Sequence, residues 1–167
     1  MSIFNSPQSE QDAKDLFLVA SNSISALIES YKPLSKQGLC EAMMFNTNLV
    51  LGKGAPNPVM QRDWEHIEDG YFTLLIYMIQ QQRPDKSEEE LVSLINERLQ
   101  FYTDEYNKLM SESTYTPMWV YSTFYLGPLQ DEPIASVDIL EILSFQMGLY
   151  KMISEVEKNY KKRFLPF

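Results

Sequence analysis

The stretch from Ile134 to Arg163, IASVDILEILSFQMGLYKMISEVEKNYKKR, decides the fold class. Apolar residues recur at Ile134, Val137, Leu140, Leu143, Met147, Tyr150, Ile153, Val156 and Tyr160, in steps of three or four that hold one face of a helix in register. A second row, Ile139, Ile142, Phe145, Leu149 and Met152, runs beside it. Only Asp138, Glu141, Ser144, Gly148 and Lys151 are left for water there, so the spacing predicts a nearly enclosed first half. From Ser154 onward polar residues take most of the circumference, and Lys158, Lys161, Lys162 and Arg163 gather where the negative end of the helix dipole lies. No proline interrupts the pattern. A helix of this length spans roughly 40–45 Å, so its neighbours must pack along it.

Those neighbours are legible in the rest of the chain. Ala13, Phe17, Ala20, Ile24, Leu27 and Tyr31 alternate steps of four and three, the spacing of a bundle seam, and predict a first helix from Ser9 or Asp12 to Tyr31. Pro33 stops it. A second helix is expected from Lys36, with Ser35 as its N-cap, to Leu51. Asn46 and Asn48 interrupt its apolar run MMFNTNLVL and are read as pointing to solvent or helping to end the helix. GKGAPNP, Gly52 to Pro58, reads as a loop; it lacks the spacing and preceding strand of a phosphate-binding loop.

A third helix, Gln61 to Gln82, turns Trp64, Ile67, Tyr71, Leu74, Leu75 and Met78 inward, with Phe72, Ile76 and Ile79 as a second row. Ser87-Glu88-Glu89-Glu90 is a capping box, and the fourth helix runs from it to about Met110, with Glu97, Arg98, Asp104, Glu105 and Lys108 expected outside. Between Pro117 and Gly127-Pro128 the chain concentrates Trp119, Tyr121, Phe124 and Tyr125, which predicts a short helix over 118–126. The expected fold is all-α: a single-domain, mainly antiparallel bundle of five long helices plus one short helix in the aromatic segment. Its tails are residues 1–8 and 164–167. The third and C-terminal helices, each apolar on two rows, are expected to form the central pair.

Composition narrows the chemistry. With 167 residues, a hydrophobic fraction of 44% and a formal net charge of −9, the chain has the makings of one globular core. Its charge argues against nucleic acid or an anionic membrane as partner, since both are held by Lys and Arg. No apolar run reaches the length of a membrane helix, and the N-terminus lacks the basic and apolar regions of a secretory signal. The single cysteine, Cys40, excludes an intrachain disulfide and points to the cytoplasm; it reads as a buried small hydrophobe.

One histidine, His66, cannot supply a di-iron carboxylate site, which needs a Glu-x-x-His motif on two helices. His66 lies three residues after Asp63, with Glu41 and Glu97 on other helices, but one histidine with scattered carboxylates reads as a plain surface or partly buried side chain. No serine lies in a nucleophile turn and no dinucleotide glycine pattern occurs. The reading is of a binding protein rather than an enzyme, with no metal and no cofactor.

Two features carry recognition. The first is Asp63, Glu65, Glu68 and Asp69 on the third helix; helical spacing places the last three along one side, where they suit Lys and Arg of a protein partner. The second is the aromatic segment, with Trp119 and Tyr121 as binding residues, because Tyr and Trp combine apolar area with a hydrogen-bonding tip. The expected function is therefore a cytoplasmic protein-interaction module, of inhibitor or immunity type, for a basic partner. The alternative is a pocket for a small apolar or aromatic ligand between the third helix, the aromatic segment and the C-terminal helix, lined by Tyr71, Trp119, Tyr125 and Tyr150. A homo-oligomer is compatible with either.

Overall fold

The computed structural model describes residues 7–30, 36–111 and 139–165. Among them the chain forms α1 (Pro7–Ser30), α2 (Lys36–Gly54), a single 3-10 turn (Gln61–Asp63), α3 (Trp64–Gln82), α4 (Glu88–Ser111) and α5 (Ile139–Phe164). These five long helices are the expected all-α bundle. The short helix predicted over 118–126 lies outside the described residues, as does the predicted start of the C-terminal helix at Ile134.

Local sequence sets several of the ends. At the head of α4 the Ser87 backbone N–H donates to Glu90 Oε2 at 2.9 Å and the Glu90 N–H donates to Ser87 Oγ at 3.2 Å, the reciprocal pair that satisfies two amides with no helical partner. Pro7 opens α1, where its missing N–H costs nothing. α5 closes with Lys161, Lys162 and Arg163 in its last turn, matched to the dipole.

α2 departs from expectation in three ways, all traceable to its position. It runs on through Gly52-Lys53-Gly54 instead of ending at Leu51. Gly54 is buried, and a Cβ there would stand 2.6 Å from the Trp64 ring: the bare backbone lets the indole lie against the helix. The helix is also the centre of the bundle. α2 packs against α1, α3, α4 and α5, whereas α3 and α5 share no substantial contact, so the central pair inferred from twin apolar rows is not formed. From Glu41 to Thr47 every residue of α2 is buried, nearly two turns enclosed on all sides.

The third departure concerns the two asparagines. Asn46 is fully buried and donates from Nδ2 to the Ala20 carbonyl of α1 at 2.9 Å. Asn48 donates to the Leu99 carbonyl of α4 at 2.7 Å. Neither points to solvent nor ends the helix; each ties α2 to a neighbour's backbone.

The register of the helices follows from such contacts. α2 and α3 run antiparallel, with Gly54 against Trp64 at one end, Thr47 bonded to the Tyr71 hydroxyl at 2.9 Å in the middle, and Cys40 beside Met78 in a shared cleft wall at the other. α5 lies antiparallel to α1, where Arg163 meets Asp15 at 2.8 Å and Asn159 donates to Ser23 Oγ at 3.0 Å. Its last turns come back to the C-terminal end of α2. There Lys53 pairs with Glu157, Tyr160 donates to the Lys53 carbonyl at 3.0 Å and Asn57 donates to the Tyr160 hydroxyl at 2.9 Å. The Gly-Pro loop is thereby pinned to α5.

One contiguous core unites residues of all five helices with Met60 of the loop. In α5 it is the row Phe145, Leu149, Met152, Val156 and Tyr160 that faces this core. Leu143, Met147 and Tyr150, assigned to the core by spacing, are exposed, Met147 at 59%. A helix that presents two apolar rows can bury only the one its neighbours reach.

Candidate functional site

Three places in the fold carry more than packing. The first is the solvent face of α3. Glu65, Asp69, Thr73, Tyr77 and Gln81 are all exposed, a stripe at four-residue steps that runs along one side of the helix. Glu68, half-buried, flanks it one turn in. The Asp69 carbonyl accepts from Thr73 Oγ1 at 2.9 Å, yet none of the Glu65, Glu68 and Asp69 carboxylates is ion-paired among the described residues. The basic end of α5 differs: Lys158 pairs with Glu155, Lys161 with Glu157 and Arg163 with Asp15. Two turns past Asp69, Tyr77 is 65% exposed. Asp63, at the N-cap of α3, makes no side-chain capping bond and is half-buried, to one side of the stripe.

The second is buried. Arg98, expected on the outside of α4, is only 8% exposed, and its Nε and Nη2 donate to Oε2 of Glu41 on α2 at 3.1 and 2.9 Å. Tyr102 donates its hydroxyl to the same oxygen and accepts from Arg98 Nη2 at 3.0 Å. The guanidinium also sits 4.9 Å from the ring centres of Phe101 and Tyr102, a cation–π geometry. Glu41 Oε1 has no hydrogen-bond partner among the described residues. Burial pushes the Glu41 carboxyl above its usual range, against the downward pull of Arg98 and of the Tyr102 hydrogen bond. Enclosed in this way, the group joins α2 to α4 and offers no atom to a dissolved substrate.

The third is a cleft of about 660 Å³ between the C-terminal half of α1, the first half of α2 and the end of α3. Ile24, Ile28, Leu39, Cys40, Met43 and Met78 form its apolar walls; Ser21, Asn22, Ser25, Gln82 and Lys36 stand at its edge. Burial raises the Cys40 thiol to about 11, with Glu41 adding to the shift, so the wall holds a neutral thiol at physiological pH.

The residues singled out in the sequence are thus dispersed. Glu65, Glu68 and Asp69 stand together on one face, as their spacing required. Trp119, Tyr121 and Tyr125 lie outside the described residues. Tyr71 is fully buried under Thr47, and Tyr150 looks outward from α5. Neither lines the cleft between α1, α2 and α3. His66 is half-buried, and among the described residues no group of three or more His, Cys, Asp or Glu side chains is disposed to hold a metal. No helix there is long and apolar enough to cross a membrane.

No family model, curated protein or solved structure matches this chain.

Proposed function

We propose that this chain is a protein-interaction module that docks a basic protein partner on the outward face of α3. The observation that carries the reading is the set of three carboxylates unpaired within the described fold, Glu65 and Asp69 in line with an exposed tyrosine at position 77 and Glu68 beside that line. Unpaired like charges on one turn repel each other and cost the free protein some stability; a partner's Lys or Arg side chains would remove that cost. Tyr77 supplies the apolar contact with a polar tip that marks binding hot spots, and a net charge of −9 would steer a cationic partner toward the surface.

An inhibitor or immunity-type role in the cytoplasm is the form of this reading that best suits a small acidic bundle. The enclosure of Glu41, Arg98 and Tyr102 favours a rigid scaffold beneath the binding face. The test is affinity for the captured partner as a function of salt and charge. The triple change Glu65→Lys, Glu68→Lys and Asp69→Lys should abolish binding at low salt, and wild-type affinity should fall steeply as salt rises. A partner held equally well by the triple variant refutes the assignment.

A further inference from the structure

The cleft between α1, α2 and α3 has a charge pattern of its own. The chain carries 23 acidic residues against 14 Lys and Arg, yet among the described residues lining the cleft no acidic side chain occurs and Lys36 alone is charged. Lys36 is exposed and has no ion-pair partner among the described residues. The neutral edge does not compete for it: Ser21 Oγ donates to the Leu18 carbonyl and Ser25 Oγ to the Asn22 carbonyl. Behind that edge lies an apolar wall with Met43 and Met78, unbranched side chains that adapt their shape to an occupant. Its volume of about 660 Å³ falls in the range of small-molecule sites and is open to solvent along one side.

From this juxtaposition we infer that the cleft binds a single-chain amphiphile, its apolar chain against Ile24, Ile28, Met43 and Met78 and its anionic head group on Lys36. The occupant is the free monomer in solution, not an acyl chain within a bilayer: a chain with a net charge of −9 is repelled by an anionic membrane. The site is separate from the α3 stripe, and each stands or falls without the other.

Titration calorimetry of the full chain with decanoate, below its micelle concentration, and with decanol as the uncharged comparator tests this. Decanoate should bind more tightly than decanol. Lys36→Glu should weaken decanoate roughly tenfold by turning attraction into repulsion and leave decanol within about twofold. Ile28→Trp should fill the cleft and abolish both, with circular dichroism and melting confirming the fold; Met78→Trp serves if the first variant does not fold. The inference is overturned if decanoate fails to bind, if Lys36→Glu leaves it unchanged, if both folded tryptophan variants bind as before, or if only anionic phospholipid vesicles are bound.

Discussion

Arg98 of α4 directs two donors onto a single oxygen of Glu41 on α2, at 3.1 and 2.9 Å, inside the bundle. Fifty-seven residues separate the two in sequence, so this contact fixes where α4 crosses α2. A charge buried without its counter-ion is costly, whereas replacing both partners with apolar groups is often neutral. Arg98→Met should therefore lower the unfolding free energy by about 3–5 kcal/mol, and Glu41→Leu combined with Arg98→Met should recover most of it. Urea denaturation of both singles and the double measures the coupling.

The same pair predicts a pH dependence with a definite sign. In Arg98→Met, Glu41 keeps the burial that already raises its carboxyl and loses the cation that opposes it, so its folded-state value moves further above the unfolded one. Stability from such a group is present below the unfolded value and lost as pH rises through the folded one. The deficit of Arg98→Met relative to wild type should be smaller near pH 4.5 than at pH 7, reading about 4.3 as the unfolded glutamate value. Equal deficits at both pH values would show that Glu41 is not ionised in the fold.

Two glycines of α2, Gly52 and Gly54, should respond oppositely to alanine. At Gly54 a Cβ would meet the Trp64 ring at 2.6 and 2.7 Å, and the rigid indole must shift, which costs about 1–3 kcal/mol. At Gly52 a Cβ would meet nothing within 4 Å, so Gly52→Ala should stabilise by about 0.5–1 kcal/mol through better helix propensity. Thermal melts of the two single variants should move in opposite directions.

Thr47 and Tyr71 form a buried hydroxyl pair between α2 and α3. Thr47→Val keeps the shape but strands the Tyr71 hydroxyl, at a cost of about 1–3 kcal/mol. Tyr71→Phe, which leaves Thr47 its bond to the Met43 carbonyl, should cost less, about 0.5–1.5 kcal/mol. In the double variant the loss should fall short of the sum, and denaturant midpoints of the three proteins check it.

Periodicity and end signals located most helices well, because both are written within a few residues: the Ser87–Glu90 box acts locally, whereas Gly52 and Gly54, read as loop, lie inside α2. What they could not supply was the partner of each face. Asn46 and Asn48 are bonded to carbonyls 26 and 51 residues away, and Arg98 looked like one more exposed charge on an amphipathic helix. Had Glu41, Asn46 and Thr47 been taken together as polar residues on every side of an otherwise apolar helix, the enclosure of α2 would have been legible. The twin rows of α5 misled for a related reason, since an apolar row shows what a helix can bury and not what lies opposite it. Of the recognition residues, Glu65, Glu68 and Asp69 were legible from spacing alone, while Tyr77 and the cleft needed the packed structure.

The docking of a basic partner on α3 is tested most directly by site-specific photo-crosslinking in the native cell. A photoreactive residue at Thr73, between Asp69 and Tyr77 on the exposed stripe, should yield one discrete adduct with a basic protein. The same group at Ser93, exposed on α4, should yield none, and reversing Glu65, Glu68 and Asp69 to lysine should erase the Thr73 adduct. An adduct at Ser93 alone, or a Thr73 adduct that survives the charge reversal, would contradict the account.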